Sequence, residues 1–87
     1  MRTIYKYRLA SLFGTQQIAV PLGAIPLTIQ LQEGEPTLWC EVENTLSLAL
    51  KTLLVCGTGQ PLSDSHGKYI GTWQEDSGLV YHAYEAA

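Results

Sequence analysis

Charge is scarce in this sequence. Asp, Glu, Lys and Arg make up 15% of its 87 residues, against roughly 25% in an average globular protein. Its surface must therefore be covered by Thr, Gln, Ser, Gly and tyrosine hydroxyls. Such a surface repels itself weakly, which favours self-association. A basic excess is also missing, since the formal net charge is −3. Nucleic-acid binders draw affinity from counterion release at phosphates and carry the opposite balance, so direct nucleic-acid binding is disfavoured. Two cysteines, Cys40 and Cys56, are too few for a disulfide-stapled secreted scaffold. No apolar stretch is long enough to span a bilayer: the run from Leu48 to Val55 is short and interrupted by Lys51. The N-terminus, Met1-Arg2-Thr3-Ile4-Tyr5-Lys6, lacks the apolar centre of a signal peptide. The expected setting is the cytoplasm, with reduced thiols and no membrane contact. A chain of this length makes one domain, 1–87, with a modest core.

What is present is a two-residue period, the mark of strands with one buried face. In 24–32, Ile25, Leu27, Ile29 and Leu31 alternate with Thr28, Gln30 and Gln32. Glu33-Gly34-Glu35-Pro36 is a turn, and 37–43 then sets Leu38, Cys40 and Val42 against Trp39, Glu41 and Glu43. The two segments predict a hairpin over 24–43. A second hairpin is predicted from 69–75 and 79–85, joined by Asp76-Ser77-Gly78. The segment 2–9 alternates too, with Thr3, Tyr5, Tyr7 and Leu9 opposite Arg2, Ile4, Lys6 and Arg8. Gly14 closes the first loop, and 15–20 reads as another strand, ended by Pro21 and Gly23.

The leucine-rich stretch 44–56 is open to two readings. Asn44 could cap a short helix near 44–52, with Leu46, Leu50, Leu53 and Leu54 as its stripe. The alternation of Leu46, Leu48 and Leu50, and a run that ends directly on Gly57, favour a strand over 48–56 after a turn at 43–47. The expected fold is all-β, an antiparallel small sandwich or barrel of six to seven strands. The segment 57–68 is the one long irregular loop, and loops of that length are disproportionately functional.

Ordered blocks along the chain resemble a family of small uncharacterised proteins from phages and prophages. They are Met1 to Tyr7, Val20-Pro21-Leu22-Gly23-Ala24, Leu38-Trp39-Cys40, Gly57-Thr58-Gly59-Gln60-Pro61, Tyr69-Ile70-Gly71-Thr72-Trp73 and Tyr81-His82-Ala83-Tyr84-Glu85. The chain departs from the pattern at Gln60, where relatives tend to carry His, and over Ser47–Leu54, which is leucine-rich where theirs is more charged. The resemblance implies a viral or prophage origin and transfers no assigned activity. Small phage proteins of this kind are often anti-defence factors, anti-CRISPR proteins included.

No complete catalytic constellation can be assembled from the residues. His66 and His82 are the side chains that titrate near neutral pH. His82 falls on a strand face with Val80 and Tyr84, where a structural role is the commoner one. His66 lies in the long loop near Asp64 and is better placed for a ligand. Cys40 and Cys56 lack the short spacing of a zinc knuckle and lie on apolar strand faces, so neither a metal nor any other cofactor is expected. Gly57-Thr58-Gly59 with His66 and Lys68 could cradle an anion, but only a fragment of a phosphate-binding pattern is there and no helix follows. Tyr5, Tyr7, Trp73 and Tyr81 are expected in the core. Trp39 shares its face with Glu41 and Glu43, and an exposed Trp is a favoured interface anchor. The Arg2/Lys6/Arg8 stripe could pair with Glu33, Glu35, Glu41 and Glu43 across the sheet, or the two sets could dock between copies of the chain.

The leading expectation is a non-enzymatic protein that inhibits a host defence complex by protein–protein binding, using Arg2, Lys6, Arg8, Trp39, Glu41 and Glu43. The alternative is an oligomeric sponge for a nucleotide-type signal, using Gly57, Thr58, Gly59, His66 and Lys68. A small hydrolase and a virion component rank below these.

Overall fold

The computed structural model describes residues 1–10 and 14–87, so most of the first loop lies outside the described residues. Within them the chain forms seven strands and no helix: β1 (Arg2–Arg8), β2 (Gly14–Pro21), β3 (Ile25–Gln32), β4 (Glu35–Glu43), β5 (Leu48–Gly57), β6 (His66–Gln74) and β7 (Val80–Ala86). All pairings are antiparallel, in two sheets ordered β1-β4-β3 and β2-β5-β7-β6. The fold is all-β, as expected, and is an open sandwich, not a closed barrel. The stretch 44–56 resolves as a turn followed by strand β5, so the helical alternative fails. The leucine stripe at helical spacing loses because Leu53 and Val55 belong on the buried face of a pleated strand.

Both predicted hairpins form. Gln32 pairs with Glu35, leaving a two-residue turn in which Glu33 and Gly34 both take positive φ (52° and 79°). That left-handed pair matches the strand twist, and Gly34 supplies it at no steric cost. At the other hairpin the Gly78 amide donates to Glu75 O and the Glu75 amide to Leu79 O.

The inner faces meet in one core of Val20, Ala24, Ile29, Leu38, Cys40, Val42, Leu53, Val55, Ile70, Trp73, Tyr81 and Ala83, with Leu9 at its rim. Trp73 stacks on Tyr81 at 5.6 Å between ring centres. The sandwich closes on the side where β3 lies against β6: a Cβ on Gly71 would stand 3.1 Å from Ile29 N and 3.3 Å from Ile29 O. Glycine is required there by backbone approach, since φ is ordinary. Edge strand β1 is less well covered. Tyr7 is half-buried against the core, but Tyr5, expected inside, keeps 42% of its surface exposed.

Three further expectations need correcting. A bulge between Pro26 and Thr28 breaks the alternation of β3, so Ile25 turns outward opposite Glu41 while Ile29 points in opposite Leu38. Bulging costs one ladder position and re-aims everything on one side of it. Second, Cys56 lies opposite His82 on the solvent side of its sheet, half-exposed, and not on a buried face. Third, the irregular loop is shorter than 57–68, because Gly57 ends β5 and His66 begins β6.

Candidate functional site

Register sets out the solvent face of the β1-β4-β3 sheet row by row. Arg2 stands opposite Glu43, Ile4 opposite Glu41 and Ile25, Lys6 opposite Trp39 and Thr28, and Arg8 opposite Thr37 and Gln30. Trp39 thus occupies the centre of the middle strand, half-buried, with exposed Ile4 and Ile25 in the adjoining row. Alternation groups Trp39 with Glu41 and Glu43, and Arg2 with Lys6 and Arg8; the β1–β4 pairing puts the two groups on one side. The bulge adds Ile25, which alternation assigns inward.

Much of the charge on this face is spent internally. Arg2 binds the Glu41 carboxylate at 2.8 Å, and Lys6 Nζ donates to Gln32 Oε1 at 2.7 Å. Glu43 turns to the chain end, accepting from the Met1 amine at 2.6 Å and from the Thr45 hydroxyl at 3.0 Å. Those hydrogen bonds hold its carboxyl below the ordinary value. Glu33 and Glu35 sit at the far end of the hairpin, so the acidic residues do not form one cluster. Arg8 makes no ion pair among the described residues. The face therefore offers an indole, two branched aliphatics and one uncommitted guanidinium.

The residues predicted for a ligand lie elsewhere and apart. Because β5 and β6 both run antiparallel to β7, they are parallel to each other, and their connection must travel from one end of the sheet to the other. Gly57 is level with Tyr81 and His66 with Ala86, roughly 17 Å apart along β7 at ~3.4 Å per residue. Gly57, Thr58 and Gly59 thus mark one end of the crossover, and His66 and Lys68 the other. At the first end lies an open depression of about 750 Å³, in which Val55, Pro61, Leu79, Val80 and Tyr81 line the wall together with Cys56, Gly57, Thr58 and Gln60. Two of the amides an anion would use are engaged: Thr58 N donates to Val80 O and Gln60 N to Gly57 O. His66 is held by its own loop, with Nδ1 2.8 Å from Ser63 O and its ring 5.1 Å from that of Tyr84.

Sequence reasoning misses a polar row on this second sheet. The Thr58 hydroxyl lies 2.6 Å from His82 Nε2, Thr72 Oγ1 lies 2.9 Å from His82 Nδ1, and the Tyr69 hydroxyl lies 2.6 Å from Thr72 Oγ1. Either neutral tautomer of His82 completes the row. With Nε2 accepting from Thr58, Nδ1–H donates to Thr72. In the reverse sense Thr58 is left to donate to Val80 O at 3.4 Å. The row fastens the start of the crossover to β7 and β6. The alternation of β7 signals only that His82 shares a face with Val80 and Tyr84.

Cys40 is fully buried, and burial pushes its thiol up to about 11. A thiol so held is neither a nucleophile nor a ready metal ligand. Among the described residues no three His, Cys, Asp or Glu side chains gather as a metal site would require. No helix among them is long and apolar enough to cross a membrane.

A family model described as "Domain of unknown function (DUF7352)" matches residues 1–87. No curated protein and no solved structure matches the chain.

Proposed function

We propose that this chain, which belongs to the DUF7352 family of domains of unknown function, is a non-enzymatic interaction protein that works by covering a surface on a protein partner. The observation that carries this reading is Trp39, outward-facing at the centre of the three-stranded sheet, with exposed Ile4 and Ile25 beside it. Half-buried between Lys6 and Thr28, the indole still leaves part of its apolar surface in water, and Trp and Arg ringed by smaller contacts are the usual anchors of protein interfaces. Arg8, without an ion-pair partner among the described residues, suits an acidic rim on the other molecule. The resemblance to phage and prophage proteins makes a bacterial defence complex, of the CRISPR kind first, the partner class to test, with the host cytoplasm as the setting.

The experiment is a phage-infection assay in bacteria whose defence system is active, with this chain expressed from a plasmid. Wild type should restore plaque formation and co-purify with the defence complex. Trp39→Ala should lose both, at a cost of about 2 kcal/mol or more in binding, while melting close to the wild-type temperature. Unchanged protection and binding in Trp39→Ala and Arg8→Glu would show that this face is not the one used.

The nucleotide-sponge reading draws less support. Its residues are divided between two ends of the crossover, and the depression beside Thr58 is largely apolar, with no cation lining it among the described residues. A phosphate there would be desolvated without compensation.

A further inference from the structure

We infer that the solvent face of β2 and β5 is the contact surface between two copies of this chain. The register pairs Pro21 with Leu48 and Ala19 with Leu50; Ala19, Leu48 and Leu50 are exposed on the outer face, whereas Pro21 is buried. The Leu22 amide donates to Ser47 O at 2.8 Å, which ties the turn after β2 to the turn before β5. Leu22 and Leu46 therefore stand at the same end of the ladder as Leu48. Exposure is 59% at Leu22, 46% at Leu46, 68% at Leu48 and 67% at Leu50. Apolar side chains exposed singly are unremarkable, but a contiguous patch of several hundred Å² signals a contact surface.

The occupant follows from charge and area. The outward positions that reach solvent along the two strands are Thr15, Gln17 and Ala19 on β2, with Leu48, Leu50 and Thr52 on β5, and none of them ionises. A partner with a charged rim would lose hydration there and gain no counter-charge. A second copy brings the same neutral leucine surface, and a twofold axis sets it against itself without like-charge repulsion. Four leucines exposed to this degree supply a large part of the roughly 800 Å² per partner that a stable interface buries. Gln17 and Thr52, 3.4 Å apart, provide a polar margin. A lipid surface suits the face less well, because no Lys or Arg on the outward positions of these strands flanks the leucines to meet headgroup phosphates. The proposal is independent of the Trp39 face, which belongs to the other sheet and stays open in such a dimer.

Native mass spectrometry and sedimentation from 1 to 100 µM (concentrations on the order of ordinary dissociation constants) test this directly. Wild type is expected to be a dimer at the upper end, and the double variant Leu48→Glu/Leu50→Glu a monomer, its dissociation constant raised at least ~100-fold by burying carboxylates against leucine. Circular dichroism should match wild type, as should the melting temperature at a dilution where wild type is also monomeric, since both positions point away from the core. Leu48→Ser/Leu50→Ser should weaken the dimer by a smaller factor, and Trp39→Ala should leave it intact. A wild-type chain that stays monomeric throughout, a double variant that still dimerises, or a dimer broken by Trp39→Ala would each overturn the proposal. A monomer that sediments with phosphatidylcholine vesicles would overturn it in favour of a membrane.

Discussion

The two sheets carry their solvent faces in opposite ways. On the three-stranded sheet, Arg2 meets Glu41 and Lys6 meets Gln32 around Trp39. On the β2–β5 half of the four-stranded sheet, no outward side chain is charged and two leucines stand about two-thirds exposed. Both faces come from the same two-residue period, and both lie behind a core of the same kind. The difference shows that the period decides only which residues are outside. What they can bind depends on the pairing between strands, which assembles one face from a tryptophan among charges and the other from neutral side chains rich in leucine.

The contrast of inside with outside on β5 gives the largest expected effect. Leu53→Ala should cost about 2–5 kcal/mol, because it empties a fully buried position. Leu50→Ala, three residues earlier and facing water, should cost under about 0.5 kcal/mol in a monomer. Urea unfolding measured below the dimer concentration compares them, and a larger loss at Leu50 than at Leu53 would mean that β5 is turned the other way.

A second contrast sets Cys40, on the inner face behind Trp39, against Cys56, on the outer face opposite His82. A thiol reagent at neutral pH should modify Cys56 and spare Cys40. Cys40 also predicts an alkaline response. Its thiol is neutral in the fold up to about 11 but ionises at its ordinary 9.0 once unfolded. Its stabilising effect is therefore complete below pH 9 and lost as pH rises to about 11, a change on the order of 2–3 kcal/mol. Tyr7, raised chiefly by burial and then by Cys40 and Tyr5, adds to the same slope. Between pH 8 and 11 the denaturant midpoint should therefore fall more steeply in wild type than in Cys40→Val.

His82→Leu tests whether the hydroxyl–imidazole row is structural. Because the row is partly exposed, the loss should be near ~1 kcal/mol, with faster hydrogen exchange at the Thr58 and Gln60 amides. The smallest effect belongs to the charged face. A double-mutant cycle on Arg2 and Glu41 should return a coupling of about 0.2–1 kcal/mol, falling with salt, since both groups are well exposed.

Much of this molecule is legible in local pattern. Glu33-Gly34 and Asp76-Ser77-Gly78 mark both hairpins, and alternation groups Arg2, Lys6 and Arg8 on one side of β1 and Trp39 with Glu41 and Glu43 on one side of β4. The misplacements share a cause. Alternation assigns Ile25 inward because nothing in the sequence marks the bulge at Leu27, which forms when β3 must pair with β4 and also lie against β6. It is equally misleading at Cys56, whose neighbours Leu54 and Val55 are both largely buried although they point to opposite sides. Thr58 and His82 are 24 positions apart, and only the crossover from β5 to β6 brings them within 2.6 Å.

The sequence by itself determined that strands form, where they turn, and which residues share a side, because a pleat sends neighbours to opposite faces whatever surrounds it. It could not determine which side of β5 is inside. One side carries Leu48, Leu50 and Leu54, and the other carries Leu53 and Val55 but also Lys51, so hydrophobicity points the wrong way as readily as the right one. Tertiary structure decided it, by giving Lys51 a half-buried partner in Glu85 at 3.5 Å. That ion pair lets the lysine side face the opposing sheet and leaves Leu48 and Leu50 in water. Alternation is unchanged when inside and outside are exchanged; only the packing of a second sheet distinguishes them.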